Sequence, residues 1–189
     1  MKLDILVILC GGNYIDPKEY QDYGVDGVYI GAKTRMNAGL KYANNAEKII
    51  LIGGSKPKVN AMQQYFETYA DKVVAIVSGS STYGNIYALD RYIVDNISVD
   101  QCVNMGILSN AYHFTRIYSF ISKLFSGHSQ MVTNIIPVVA EEISNKEYRH
   151  NIRIAMESKG ILDLQRGLYK KQSERYIMLG ADGEPLHAD

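Results

Sequence analysis

Cys102-Val103-Asn104-Met105-Gly106-Ile107-Leu108, then Ser109-Asn110-Ala111-Tyr112-His113, then Phe114-Thr115-Arg116 form one continuous stretch of three different characters. The apolar run from Cys102 to Leu108 predicts a buried strand, and the pattern from Phe114 to Leu124 predicts a helix. Ser109 or Asn110 is placed to cap that helix through a side-chain oxygen. His113 and Arg116 stand three apart, so they share one helix face. There a helix N-terminus offers free N–H groups and a positive dipole end to an anion. A strand, a polar turn and a helix make one βα unit. Taken alone, the stretch reads equally well as a solvated helix start with a histidine at the core edge.

Working outward, the same grammar recurs. Leu3 to Leu9 is an apolar run broken only by Asp4, and it is closed by Gly11-Gly12-Asn13. Such runs suit strands covered on both faces, as in a parallel sheet. Lys48 to Ile52 and Val73 to Val77 predict further strands, closed by Gly53-Gly54-Ser55 and by Ser78-Gly79-Ser80-Ser81-Thr82. A fifth strand is expected over Val132 to Val138. Helices are expected over Ala32 to Asn44, Val59 to Tyr69, Tyr83 to Val94 and Ala140 to Ser158. Tyr14 to Gly31 reads as a long polar loop or lid, and Arg175 to Leu179 as a short added strand. The alternation of strand and helix predicts an open, mainly parallel α/β sheet with helices on both faces. One domain over residues 1–189 is expected, its core at about 3–140 and a C-terminal helix and tail over 140–189.

The totals narrow the classes. The chain has 189 residues, enough for one well-buried core. Lys+Arg and Asp+Glu are both 20, so no net charge recruits nucleic acid or an acidic membrane surface. Two cysteines, Cys10 and Cys102, without zinc-type spacing predict buried free thiols and neither a disulfide framework nor a metal site. The first ten residues are too short and too charged for a secretory segment, and no long apolar run follows. A cytoplasmic protein with no membrane and no nucleic-acid partner is the expectation. The sequence leaves the oligomeric state open.

Loops that follow parallel strands all emerge on one sheet edge, where open α/β sheets bind ligands. The polar signals obey this rule, which makes a small-molecule site the expectation. Gly53-Gly54-Ser55 before a helix is a weak phosphate cradle, since it lacks the Lys of a P-loop; a tight turn needs the same residues. The hydroxyls of Ser81 and Thr82 can bind a phosphate, carboxylate or ribose, or cap the next helix. Asn85 can bond a ligand or face solvent. Arg35 and Arg116 can clamp an anion through bidentate guanidinium bonds or sit in surface ion pairs. His113 is the candidate catalytic acid or base. No Gly-x-Ser-x-Gly elbow or metal-ligand cluster is present in the sequence.

The combination of Leu9-Cys10-Gly11-Gly12, Arg35, Ile49-Ile50-Leu51-Ile52-Gly53-Gly54-Ser55, Thr82-Tyr83-x-Asn85 and Ser109-x-x-Tyr112-His113-x-x-Arg116 resembles the YdcF-like bacterial proteins, which include the SanA and ElyC groups. The last motif is similar to the family's Thr-Ser-x-x-His-x-x-Arg segment. The resemblance covers roughly residues 3–140. It implies a Rossmann-like domain that binds a small anionic or nucleotide-like ligand, with S-adenosylmethionine a candidate cofactor. It also adds Tyr112 and Ser109 to the ligand-binding residues. The family's Glu-x-x-Ser-x-x-Thr-x-Glu-Asn pattern is broken here, where Ile76 to Asn85 lack both carboxylates and Gly84 replaces the second. The alternative is therefore a non-catalytic regulatory or interaction protein that keeps the fold with a degraded pocket.

Overall fold

The structure is a computed structural model that describes residues 2–10, 24–25, 28–29, 32–98, 100–125, 132–144, 165–166 and 174–186. Six strands form the main sheet: β1 (Leu3–Leu9), β4 (Ala46–Gly53), β5 (Val73–Ser78), β6 (Val103–Ser109), β7 (Val132–Val139) and β8 (Tyr176–Leu179). Their spatial order is β7-β6-β1-β4-β5-β8. All neighbours pair parallel except β5 and β8. The five expected strands are all present, each within two residues of its expected ends. The named helices among the described residues are α1 (Ala32–Tyr42), α2 (Lys56–Tyr65), α3 (Thr82–Asn96), α4 (Phe114–Leu124) and α5 (Ala140–Ser144).

The apolar runs become strands because both faces of the sheet are covered. On β1, Ile5, Val7 and Leu9 join a cluster with α3 and α4 residues such as Leu89, Ile117 and Phe120. Leu6 and Ile8 point the other way and meet Met36 of α1 and Met62 of α2. Side chains alternate along a strand, so only a doubly covered strand needs apolar residues at consecutive positions. Each fully buried Leu or Ile contributes roughly 1.5–3 kcal/mol. A run such as Leu6 to Leu9, fully buried throughout, therefore leaves β1 little tolerance of a polar substitution.

Helix boundaries depart from expectation for local reasons. α2 starts at Lys56, three residues early, because Pro57 in its first turn has a φ already suited to a helix. It ends at Tyr65, and a 3-10 segment over Glu67–Lys72 carries the chain into β5. α1 likewise tightens into a 3-10 turn at Ala43–Asn45. Of the helix expected to Ser158, Ala140–Ser144 is seen; the remainder lies outside the described residues. Most of the expected loop over Tyr14 to Gly31 lies outside them too, apart from a small antiparallel pair, β2 (Gly24–Val25) with β3 (Val28–Tyr29). The expectation of two buried thiols fails. Cys102 is exposed because β6 begins one residue later, and Cys10 is only partly covered at the end of β1.

The chain runs outward from β1 to β4 and β5, then returns to β6 beside β1 and continues to β7. Helices α1 and α2 cover one face, and α3 and α4 the other. The winding direction thus reverses between β1 and β6, and the C-terminal strand ends at such a switch point are where open α/β sheets bind ligands.

Candidate functional site at the sheet switch point

Buried polar side chains gather at the C-terminal edge between β1 and β6. Arg35, in the first turns of α1, is 2 % exposed. Its Nη1 donates to the carbonyls of Leu9 and Cys10 at 3.0 and 2.8 Å, which ties it to the end of β1. Its Nε donates to Asn110 Oδ1 at 2.6 Å, which ties it to the end of β6. Nη2 has one longer contact, 3.4 Å to His113 Nδ1. A helix on one face of the sheet thus reaches over the edge to the turn that starts the helix on the other.

His113 is buried, and its ring orientation is defined by two hydroxyls. Ser109 Oγ lies 2.9 Å from Nδ1 and Thr82 Oγ1 lies 2.9 Å from Nε2. A guanidinium can only donate, so Nδ1 is the acceptor on this ring. Ser109 then donates to Nδ1, and the Nε2 hydrogen goes to Thr82. Burial first, then the Arg35 and Arg116 cations, hold His113 well below the ordinary imidazole value. The ring is neutral at neutral pH. Arg116, half-buried one turn along α4, is near enough for its charge to act on the ring.

The expected cap at this turn is replaced by something else. Neither Ser109 nor Asn110 bonds a helix N–H through its side chain. Ser109 is committed to His113, and Asn110 to Arg35 and Glu141. The carboxylate of Glu141, at the start of α5, accepts from Asn110 Nδ2 at 2.6 Å and from the Ala111 N–H at 3.1 Å. The chain's own anion therefore occupies the N-terminal position where a ligand anion was expected. Sequence reasoning passed over Glu141, since Glu141-Glu142 resembles the charged outer face of a helix. The usable signal was that it follows a strand, as the other polar loops do.

The remaining predicted residues that the structure describes fall at the same sheet edge with varied roles. Ser81 caps α3, its Oγ accepting from the Gly84 N–H at 3.0 Å. Asn85 does not face solvent: it is buried, and its Oδ1 accepts from Ser78 Oγ at 2.6 Å. Ser55 precedes α2 without a side-chain cap bond. Tyr112 is half-buried with its ring centroid 6.0 Å from that of His113. The spaces that a Cβ on Gly53 or Gly54 would take are filled by this chain. A Cβ on Gly53 would meet Val59 Cγ2 at 2.9 Å, and one on Gly54 would meet Ser80 Cα at 2.6 Å. Gly11, Gly12 and Asn13 lie outside the described residues.

A cavity of about 1150 Å³ lies elsewhere, lined by Asn60, Gln63, Phe66, Leu179 and Asp182 among others, and by none of the predicted site residues. Val73, also in its wall, begins β5. The cavity therefore sits toward the N-terminal strand ends, away from the switch point. Among the described residues no group of His, Cys, Asp and Glu is placed to hold a metal ion, and no helix is long and apolar enough to cross a membrane.

Fold and site together define an open, doubly wound α/β protein of Rossmann-like type with a buried polar cluster at its switch point. Comparison with protein-family models, with curated proteins and with solved structures finds no match.

Proposed function

We propose that this chain is a YdcF-like, Rossmann-type domain that binds a small anionic or nucleotide-like ligand at the switch point, with S-adenosylmethionine a candidate. The observation that carries this reading is the buried Arg35 guanidinium. Among the described residues no ion pair joins it to a carboxylate. Burying a charge is costly unless it is paired, and a ligand anion would supply the missing partner. Among the described residues Nη2 has one long contact, so it is the atom a ligand oxygen would take. Arg116 adds a second positive charge near the same histidine. If the domain also turns its ligand over, His113 acts as a neutral imidazole, a base or a hydrogen-bond partner, because its environment opposes the imidazolium.

A second reading has one specific observation in its favour. Four of the five N–H groups of Arg35 already have acceptors in this chain, as in a pocket that has closed on itself and kept only the fold. A thermal-shift screen of nucleotides, S-adenosylmethionine and sugar phosphates separates the two. A ligand that binds the native state raises the melting temperature. A rise that disappears in Arg116→Ala supports the ligand site. No shift across the panel favours a regulatory or interaction role without a ligand.

A further inference from the structure

Glu141 is a buried carboxylate, 4 % exposed, that does not touch the nearby buried cation. The Asn110 amide stands between them, its Oδ1 accepting from Arg35 Nε and its Nδ2 donating to Glu141, both at 2.6 Å. A guanidinium only donates and a carboxylate only accepts, so the amide has one satisfactory orientation. Glu141 also accepts from the Ala111 N–H, which fixes its second oxygen. An amide is the group that can bridge donor and acceptor in this way. A carboxylate at position 110 would face Glu141 with like charge, and a direct Arg35–Glu141 bond would neutralise the guanidinium.

We propose that Glu141 and Asn110 act as a pair of positioning residues that hold Arg35 at the switch point while keeping a carboxylate off its guanidinium, so that the cation remains available to an anionic ligand. The purpose of the arrangement rests on the ligand-site reading above; its geometry does not. Three variants test it: Asn110→Asp, Glu141→Gln and the two combined. Each single variant breaks the chain of bonds. Asn110→Asp sets a second carboxylate against Glu141. Glu141→Gln turns an amide N–H toward one of two donors, Asn110 Nδ2 or the Ala111 N–H. The double variant restores every bond with one direction reversed. Its new carboxylate at position 110 accepts from Arg35 and from the new amide at position 141, whose oxygen accepts from Ala111. It also places a carboxylate directly on Arg35.

The expected result is that each single variant melts at least about 2–4 °C lower and that the double variant recovers most of that loss. In the double variant His113, followed by NMR of its imidazole, takes up its proton at a higher pH than in the wild type, because the cation beside it is compensated. Binding of ADP and S-adenosylmethionine, measured by calorimetry, weakens on the order of 10- to 100-fold in the double variant despite its restored stability. A merely structural pair would be rescued in all three readouts. A double variant no more stable than the worse single one would overturn the bond chain. A stable double variant that binds both probes as tightly as the wild type, with His113 unmoved, would overturn the charge spacing. If the wild type binds neither probe, the ligand-site reading loses its support, and the melting temperatures and the His113 titration still decide the positioning role.

Discussion

Arg35 Nε and Asn110 Oδ1 lie 2.6 Å apart across 75 residues of sequence, and this one bond joins the two halves of the sheet at the point where the winding reverses. Together with the bonds from Arg35 to Leu9 and Cys10, it makes the guanidinium a bolt across the C-terminal ends of β1 and β6. Removing it strands three acceptors. Arg35→Ala should therefore lower stability by about 2–4 kcal/mol, since each buried polar group left unsatisfied costs about 1–3 kcal/mol and the site can relax in part. Arg35→Lys should recover little, because an ammonium has no planar fork to span Asn110 and the two carbonyls. Urea unfolding measures both; a loss under about 1 kcal/mol in Arg35→Ala, below the cost of one unsatisfied group, would show that the bolt is dispensable.

His113 makes stability depend on pH in one direction. Its folded pKa lies well below 6.5, whereas the unfolded chain takes up that proton near pH 6.5. Between the two values the unfolded state holds more protons, so stability falls as pH drops below about 6.5 and continues to fall until the folded value is reached. The limiting slope is roughly a tenfold change in the folding constant per pH unit. In His113→Gln this increment should be absent. Denaturant midpoints from pH 7.5 to 5 for both proteins give the difference, and parallel curves would mean that His113 does not titrate as its burial requires.

Gly54 is glycine for lack of space, with the Ser80 backbone 2.6 Å from where its Cβ would stand. Backbone cannot rotate aside as a side chain can. Gly54→Ala should cost about 1–3 kcal/mol, the usual scale for overpacking, and should displace the loop that carries Ser81 and Thr82. Thermal unfolding checks the first effect. Amide shifts of residues 78–85 check the second; unchanged shifts would mean that the turn after β4 moves instead.

Arg116→Ala should weaken binding of any anion found in the thermal-shift screen by about 1–3 kcal/mol and leave the circular dichroism spectrum unchanged. His113→Ala then distinguishes two roles. Retained affinity with lost turnover means proton transfer, and lost affinity alone means a ligand contact. Isothermal calorimetry on both variants supplies the affinities. An Arg116→Ala protein that binds as the wild type does would remove that arginine from the site.

The α/β alternation was legible because both faces of the sheet are covered: runs such as Leu3 to Leu9 and Ile49 to Ile52 have no other use for consecutive apolar residues. The limits of α4 at Phe114 and Leu124 followed from its apolar periodicity alone. That the polar loops would gather on one edge also followed, since parallel strands leave no other arrangement. The partners within that edge did not follow. Glu141 meets Asn110 because β6 and β7 pair with Ser109 opposite Val139, which brings the residues just beyond each strand end side by side. Arg35 meets Asn110 because β1 lies against β6, with Ile8 opposite Leu108. Local sequence specifies what a residue can bond, as donor, acceptor or charge. Strand order and register decide which partner is within reach, and these are set by the packing of the whole sheet. That is why Ser109 and Asn110, well suited to cap the helix that follows them, are instead committed to His113, Arg35 and Glu141.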